Sequence, residues 1–290
     1  PKAFMKINHN NNFNLIRLLA ASFVLVTHSY TLTNRGEGDI LSRLTSGSLS
    51  FSYTAVATFF CISGFLILQS AINSSGFSSF FFRRVLRIIP GLIGSLCFAV
   101  FILGPIFTTL SLKQYFTSLG TFKPLLSAFI YIQQYTIDSV FSTNPNHALN
   151  GSLWTLKYEF TCYIVCFLCV YLKLYRQRIF FLFLLILMLL FRIIIGNRLF
   201  WYDYASPLFL WHNIRYINEW FWFFLSGMVF YLYKDTFKIN GPFLIILLLV
   251  YSVFAAFKME QVLRILSYIV IPACVFYFYN YKSPEKAFLG

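Results

Sequence analysis

Apolar runs of about 20 residues, the length that a helix needs to cross a bilayer, recur along most of the chain. Short polar stretches separate them, and many of these contain Asn, Gly, Ser or basic residues. Because this alternation is typical of polytopic membrane proteins, we predict an all-α transmembrane helical bundle with about eight or nine membrane segments. The predicted helices cover residues 13–33, 51–72, 88–110, 152–173, 178–196, 214–234, 241–258 and 262–280.

Three stretches depart from this pattern of full-length spans. The segment 122–137 is apolar but short, so we predict that it is re-entrant or lies along the membrane interface. The stretch FFRRVLRIIPG at 81–91 is amphipathic and basic, and we expect it to lead into the helix at 88–110, with Pro90 in the first turn. The loop 138–151 is rich in Asn, Pro and Gly and is expected to be irregular.

Composition favours a single membrane domain over residues 1–290. Hydrophobic residues make up 59% of the chain and charged residues 11%, against about a quarter charged in soluble domains. The net charge of +14 is concentrated between apolar runs, which is typical of cytoplasmic loops and contact with membrane lipids rather than of nucleic-acid binding. These loops are cytoplasmic if residue 1 lies in the cytoplasm and the segment 122–137 turns back without crossing the membrane. If that segment crosses, every later loop lies on the other side of the membrane. The basic clusters are Arg83, Arg84 and Arg87; Lys173, Arg176 and Arg178; and Lys234 and Lys238.

The apolar stretch 13–33 carries two ionisable residues, Arg17 and His28. Their spacing turns an α-helix by about three full turns, so both side chains share one face, roughly 16 Å apart along the axis. Ionisable groups in the hydrocarbon are costly unless they face protein, water or a partner. The face is either reactive, because neutral imidazole can accept a proton from a hydroxyl or attack an acyl group, or structural. In the structural alternative, Arg17 snorkels to the interface and His28 bonds a neighbouring helix.

A second candidate is the pair Arg84 and Arg87, with Arg83 beside it. Residues at i, i+3 are neighbours on a helix surface, and paired guanidinium donors can bind phosphate oxygens. The alternative is an ordinary positive-inside signal, which has the same composition.

A third candidate is Glu159, in the otherwise apolar helix predicted at 152–173. A carboxylate at this depth is costly and needs a partner. That partner is either His28, as part of a site, or Lys157 or a nearby arginine, as a structural ion pair.

Aromatic residues on the predicted outer surface fit either stacking on sugar rings or an ordinary interfacial belt. Cys162, Cys166 and Cys169 share one helix face, and we interpret them as small packing residues rather than metal ligands or disulfide partners. The Ser63-Gly64 pair is expected to let another helix approach closely. The aromatic residues are Trp201, Tyr202, Tyr204, Trp211, Trp220 and Trp222.

Four segments, specific when taken together and in this order, are NNNFNLIRLLAASFVLVTHSY, FFCISGFLI, FFRRVLRIIPG and NGSLWTLKYEFTCY. The first contains Arg-x10-His and the third contains Arg-x-x-Arg. They resemble the motifs of the acyltransferase family 3 membrane O-acyltransferases, which include O-antigen and exopolysaccharide O-acetyltransferases. A later segment, FWFFLSGMVFYLY, is similar to a weaker family segment.

The resemblance implies acyl transfer across a bacterial inner membrane, with a cytoplasmic N-terminus. A cytoplasmic donor, acetyl-CoA, would supply the acetyl group to a hydroxyl of a surface or lipid-linked glycan such as O-antigen or exopolysaccharide, and no metal is expected. The family continues through a final helix after a pair such as Leu289-Gly290, so we expect this domain to be C-terminally incomplete. The implied roles are catalysis for His28, Glu159 and Arg17, donor binding for Arg84, Arg87 and Arg83, and substrate contact for Trp154 and Ser152.

A transporter or flippase for glycolipid or polysaccharide is the alternative function, since it would also use buried charge and an aromatic surface. Against it, no pair of helices broken by Gly or Pro recurs in corresponding halves of the sequence. We therefore predict an O-acetyltransferase enzyme in one integral-membrane domain.

Overall fold

The computed structural model describes residues 12–33, 38–199, 205–206 and 212–280. These residues confirm the predicted all-α class, with one short antiparallel ladder between β1 (Ala205–Ser206) and β2 (His212–Asn213). Short 3₁₀ segments cover Leu119–Ala128, Gly151–Thr155 and Leu174–Arg176, and a π-helical segment covers Ala99–Leu103. The α-helices are α1 (Phe13–Leu32), α2 (Ile40–Leu44), α3 (Phe51–Ile72), α4 (Phe77–Phe98), α5 (Gly104–Phe107), α6 (Leu112–Thr117), α7 (Leu156–Tyr171), α8 (Arg178–Leu199), α9 (Ile214–Tyr233), α10 (Gly241–Ala256) and α11 (Glu260–Asn280).

Five stretches of the described chain are long and apolar enough to cross a membrane. α10, with 16 residues, is a shorter apolar helix. The chain therefore has the character of a membrane protein, and the larger number of segments stays a prediction. The five stretches are Phe13–Leu32, Phe51–Ile72, Phe77–Phe107, Gly151–Tyr171 and Glu260–Tyr279.

α3 is the central helix of the bundle, and it packs against α1, α7, α9 and α11. Its N-terminus is capped by Ser50, whose hydroxyl accepts a hydrogen bond of 3.1 Å from the amide of Tyr53. Most of its side chains are buried because helices cover it on several sides, whereas α1 buries mainly Phe13, Ala20 and Thr27 and leaves its other faces exposed. The polar residues of α3 and of the buried face of α1 are therefore the ones placed to form an internal site.

Two glycines bring the backbones of α3 and α9 into contact. A Cβ atom added to Gly64 would lie 1.9 Å from the carbonyl oxygen of Phe224, and one added to Gly227 would lie 2.0 Å from that of Cys61. Small residues permit this approach because no side chain separates the helices. The close packing predicted at Ser63-Gly64 is confirmed.

The prediction of a separate basic lead-in before a helix at 88–110 is wrong. α4 begins at Phe77 and continues through the π-helical segment into α5, so one apolar stretch runs to Phe107. Pro90 lies inside this helix rather than in its first turn. Membrane helices tolerate an internal proline because neighbouring groups and local π-type adjustments can satisfy the freed backbone carbonyls.

The segment 122–137, all of it described, forms no membrane-spanning helix. It begins within the 3₁₀ segment Leu119–Ala128 and continues through turns into the loop 138–151, which is irregular as predicted. Tyr115 anchors this region, since its hydroxyl donates a hydrogen bond of 2.8 Å to the carbonyl of Val100. Burial raises the pKa of Tyr115, so its hydroxyl keeps this proton at neutral pH. A re-entrant or interfacial position for 122–137 stays a prediction.

The predicted packing role of the cysteines agrees with their environment. Cys162 and Cys166 are buried in the core, and Cys169 is half-buried. Other predicted features lie outside the described residues: the pair Leu289-Gly290, and Trp201, Tyr202, Tyr204 and Trp211.

Candidate active site at the junction of two cavities

Five helix ends meet at one end of the bundle. α1 reaches it with its C-terminal part, which carries His28, whereas α3, α7, α9 and α11 all begin there. Their side chains line a cavity of about 520 Å³, which we call the histidine cavity. Its polar lining includes His28, Tyr53, Ser152, Tyr216, Glu219 and Arg264.

A second cavity, of about 230 Å³, is lined by Arg17, Arg87 and Glu159, and we call it the arginine cavity. Val56, Phe59 and Thr155 line both cavities, so these three residues form a partition between them. The polar face predicted on α1 therefore opens into two adjoining spaces, with Arg17 in one and His28 in the other. Both ionisable residues of α1 therefore line a cavity.

Glu159 is held in the arginine cavity by hydroxyl groups. It accepts a hydrogen bond from Tyr163, one turn further along α7, and a longer one of 3.4 Å from Ser63 on α3. Arg17 lies close enough to interact electrostatically with this carboxylate. Within the described chain Glu159 makes neither the direct ion pair with Lys157 or an arginine nor the pairing with His28 that we considered. Hydroxyl donors, not a salt bridge, satisfy this carboxylate.

The three clustered arginines of α4 have three different environments. Arg87 lines the arginine cavity. Arg84 is only 7% exposed, donates a hydrogen bond of 2.9 Å to the carbonyl of Phe80, and lies 4.1 Å from the centre of the Phe80 ring. Arg83 is exposed and donates to the hydroxyls of Ser79 and Ser74. Of the two residues in Arg-x-x-Arg, the structure therefore places Arg87 at the cavity and Arg84 in the packing behind it.

The buried carboxylate of Asp39 holds α1 in place by bonding Thr27, the residue before His28. Asp39 is fully buried and accepts hydrogen bonds from the Thr27 hydroxyl at 2.7 Å and from the amides of Ser42 and Phe51 at 2.9 and 3.0 Å. The Thr27 hydroxyl in turn accepts a bond of 2.9 Å from the amide of Ser52. These contacts join α1, α2 and α3, so they restrict where the imidazole can lie.

Aromatic rings form one wall of the histidine cavity. Trp154 lies 5.1 Å from the ring centre of Tyr216 and 5.9 Å from that of Trp220, and Trp220 stacks on Phe60 at 5.5 Å. The predicted position of Trp220 and Trp222 on an outer surface is wrong, since they are 3% and 5% exposed. Both lie on α9, which packs tightly against α3, and this packing buries them. Ser152 is exposed and also lines the cavity, and its contact with substrate stays a prediction.

The sequence analysis did not single out Glu219, a buried carboxylate that lies in the wall of the histidine cavity. It accepts hydrogen bonds from the hydroxyls of Tyr53 at 2.8 Å and Tyr268 at 3.4 Å, and the Arg192 guanidinium lies 4.0 Å away. The signal that singled out Glu159, a charge inside an apolar helix, was weaker here because Glu219 lies closer to the start of its predicted helix. Glu219 and Arg192 are both charged residues inside apolar helices.

The arrangement suits proton transfer beside an anion-binding space. A neutral imidazole in a cavity wall can accept a proton from a hydroxyl group that enters the cavity. Two guanidiniums in the adjoining space can bind phosphate oxygens through paired donors. Among the described residues no cluster of His, Cys, Asp and Glu is arranged to hold a metal ion.

Comparison with known proteins finds relatives that match about half of the chain. The chain is 36% identical over 160 residues to an O-acetyl transferase of Shigella phage Sf6, a match that covers 55% of this chain and 45% of the relative. It is 35% identical over 162 residues to Nodulation protein 10 of Rhizobium leguminosarum bv. viciae, covering 54% of this chain and 43% of the relative. The matches therefore span less than half the length of these relatives. No solved structure matches the chain significantly.

The family model described as an acyltransferase domain matches residues 10–284, which is nearly the whole chain. The matched region includes every candidate residue of both cavities. It confirms the family resemblance found in the sequence motifs. The chain belongs to acyltransferase family 3.

Proposed function

We propose that the chain is a membrane O-acyltransferase that moves an acetyl group from acetyl-CoA to a hydroxyl of a cell-surface glycan such as O-antigen or exopolysaccharide. One observation carries the proposal: an imidazole lines one cavity, two guanidiniums line the next, and three residues separate them. This layout suits a donor that carries phosphates and an acceptor that carries hydroxyls, approaching from opposite sides.

The donor binds on the side of the arginine cavity. Arg17 and Arg87 bind phosphate oxygens of coenzyme A, and Glu159 limits the charge that accumulates when no donor is present. Arg84 supports the wall of α4 behind them, and Arg83 contributes positive charge at the exposed surface. This side faces the cytoplasm of a bacterial inner membrane in the proposed topology, with a cytoplasmic N-terminus and with α8, α9 and α10 also crossing.

The acceptor is a hydroxyl group of a surface or lipid-linked glycan, and it binds in the histidine cavity. His28 accepts the proton of a sugar hydroxyl, and the oxygen then attacks the thioester carbonyl carbon. The carbon–sulfur bond breaks, the sulfur takes up the proton from the imidazolium, and the products are the acetyl ester and free coenzyme A. Transient transfer of the acetyl group to His28 itself uses the same residues in two steps.

A direct test compares two histidines that differ in position. We expect His28→Ala to lower acetylation of the surface glycan by about a hundredfold or more, since a general base contributes that much. His147→Ala is the matched control, because His147 is exposed in the loop 138–151 and lines neither cavity. Acetyl content is measured by mass spectrometry of purified glycan at equal protein levels. Undiminished acetylation in His28→Ala would contradict the proposal.

A transporter or flippase is the second candidate, favoured only by the aromatic wall and the buried charges. It has no use for a coenzyme A site. Binding of coenzyme A to the purified protein therefore separates the two functions.

A further inference from the structure

We propose that Glu219 binds the acceptor, and that its carboxylate accepts a hydrogen bond from a hydroxyl of a neutral sugar in the histidine cavity. The inference rests on the proposed function for its meaning but concerns a residue outside the family motifs described above. Four observations support it: the burial of Glu219, the asymmetry of its contacts, the aromatic wall beside it, and the cavity that it shares with His28.

Burial makes this carboxylate costly. Glu219 is 3% exposed, and a buried carboxylate is strongly unfavourable unless hydrogen bonds and opposite charge compensate it. Two tyrosine hydroxyls and one guanidinium provide this compensation, and two of these three residues, Arg192 and Tyr268, do not line the cavity. The protein therefore holds this carboxylate at the cavity wall with supporting residues behind it.

The contacts of Glu219 are all on one side of the carboxylate. Tyr53, Tyr268 and Arg192 each approach Oε1. Within the described part of the chain, no hydrogen bond or ion pair reaches Oε2. An ionised carboxylate has two oxygens and about four acceptor positions, so the second oxygen is available to a ligand that donates a hydrogen bond.

The rest of the cavity wall indicates which kind of ligand donates this hydrogen bond. Trp154, Tyr216 and Trp220 provide aromatic surface beside Glu219, and pockets of this composition bind small organic ligands with a few fixed polar contacts. A cavity of about 520 Å³ lies within the range of about 300–1,000 Å³ that such pockets occupy. A sugar offers both an apolar face for the rings and hydroxyl donors for the carboxylate.

The position of His28 ties this contact to the reaction. His28 lines the same cavity from α1, while Glu219 lines it from α9, so one sugar can contact both helices. A hydroxyl held by Glu219 fixes the ring and leaves another hydroxyl to face the imidazole. The other ionisable groups of this lining are Arg264, His28, Tyr53 and Tyr216, and the carboxylate makes a neutral sugar the expected ligand over an acidic one.

The experiment measures sugar binding independently of turnover. Purified protein is titrated with the methyl glycosides of glucose, galactose, rhamnose, N-acetylglucosamine and glucuronic acid, followed by saturation-transfer NMR. We expect at least one neutral glycoside to bind, and Glu219→Gln to raise its Kd about tenfold or more, because hydrogen bonds to charged groups contribute that much. The amide oxygen of Gln can still accept the Tyr53 bond, while the ionic attraction to Arg192 is lost.

Glu159→Gln is the matched control, since it makes the same chemical change in the arginine cavity. We expect it to leave glycoside binding unchanged and Glu219→Gln to leave coenzyme A binding unchanged. If Glu219→Gln does not fold, Glu219→Asp keeps the charge, withdraws it by one methylene, and is expected to weaken glycoside binding as well. A wild-type protein that binds no neutral glycoside, or binds it equally well after substitution at Glu219, would overturn the inference. Glycoside binding that depends on Glu219 without any acetyl transfer would instead overturn the proposed function.

Discussion

Two arginines three residues apart on α4 illustrate how environment separates side chains of the same type. The guanidinium of Arg87 lines a cavity, whereas that of Arg84 is stacked over the Phe80 ring and bonded to a backbone carbonyl. A cation held over an aromatic ring stabilises the fold when it is desolvated. In the proposed enzyme, Arg84 therefore contributes to stability and Arg87 to binding of the donor.

This contrast gives a prediction at the residue scale. We expect Arg87→Gln to raise the Kd for coenzyme A about tenfold or more, with little change in unfolding temperature. Arg84→Gln should instead lower the free energy of unfolding by about 1–2 kcal/mol, with a smaller effect on Kd. Isothermal titration and thermal unfolding of the purified protein measure both. An equal loss of coenzyme A binding in the two variants would show that both guanidiniums contact the donor.

The residues of the site were predictable where a charge lies deep in an apolar run. Arg17, His28 and Glu159 were identified in this way, and all three line a cavity. Glu219 was missed because it lies in the first turns of the helix predicted at 214–234, where exposure to water would make a charge inexpensive. Its burial depends on α3 and α11, which supply Tyr53 and Tyr268, and no local pattern reveals that contact.

At the scale of elements, the contact between α3 and α9 determines the position of both carboxylate sites. Gly64 and Gly227 allow the two backbones to touch, and α3 supplies Ser63 to Glu159 and Tyr53 to Glu219. A change in the distance between these helices would therefore disturb both cavities together.

The contact is tested by one added methyl group. We expect Gly64→Ala to lower the free energy of unfolding by about 3 kcal/mol, because its Cβ would overlap the backbone of α9. Gly94→Ala is the control on α4, where a new Cβ meets nothing within 4 Å and the helix gains up to about 1 kcal/mol. Thermal unfolding in detergent compares them, and equal unfolding temperatures would contradict the tight contact.

Helix boundaries were predictable for most of the chain, and α4 shows why they fail elsewhere. Polar loops mark the ends of most helices, but the basic residues of α4 lie within a helix that begins at Phe77. Proline and arginine both favour a boundary when read locally. Arg84 bonds the carbonyl of Phe80 and lies over the Phe80 ring one turn earlier in the same helix, so contacts within α4 accommodate its charge inside the bundle.

At the scale of the whole molecule, alternating helix directions gather the site at one end. α1 ends at the histidine cavity, and α3, α7, α9 and α11 begin there. In the proposed topology the cationic loops lie on the opposite side, which the positive-inside rule predicts to be cytoplasmic. The histidine cavity should therefore open away from the cytoplasm.

Labelling of introduced cysteines tests this orientation. We expect Arg43→Cys, exposed on α2 beyond α1, to react with a membrane-impermeant maleimide in intact cells. Arg176→Cys, exposed in the turn after α7, should react only after the inner membrane is permeabilised. The unsubstituted protein is the control, since its six cysteines are buried or half-buried. The reverse labelling pattern would place the N-terminus outside.

The partition of Val56, Phe59 and Thr155 has a consequence for the energy metabolism of the cell. A continuous column of water through both cavities would conduct protons down the gradient that an inner membrane maintains. Two of the three partition residues are apolar, so they oppose such a column. The donor and the acceptor hydroxyl nevertheless react across this partition in the proposed mechanism. In the proposed enzyme, acetyl transfer and the electrical insulation of the membrane depend on the same three side chains.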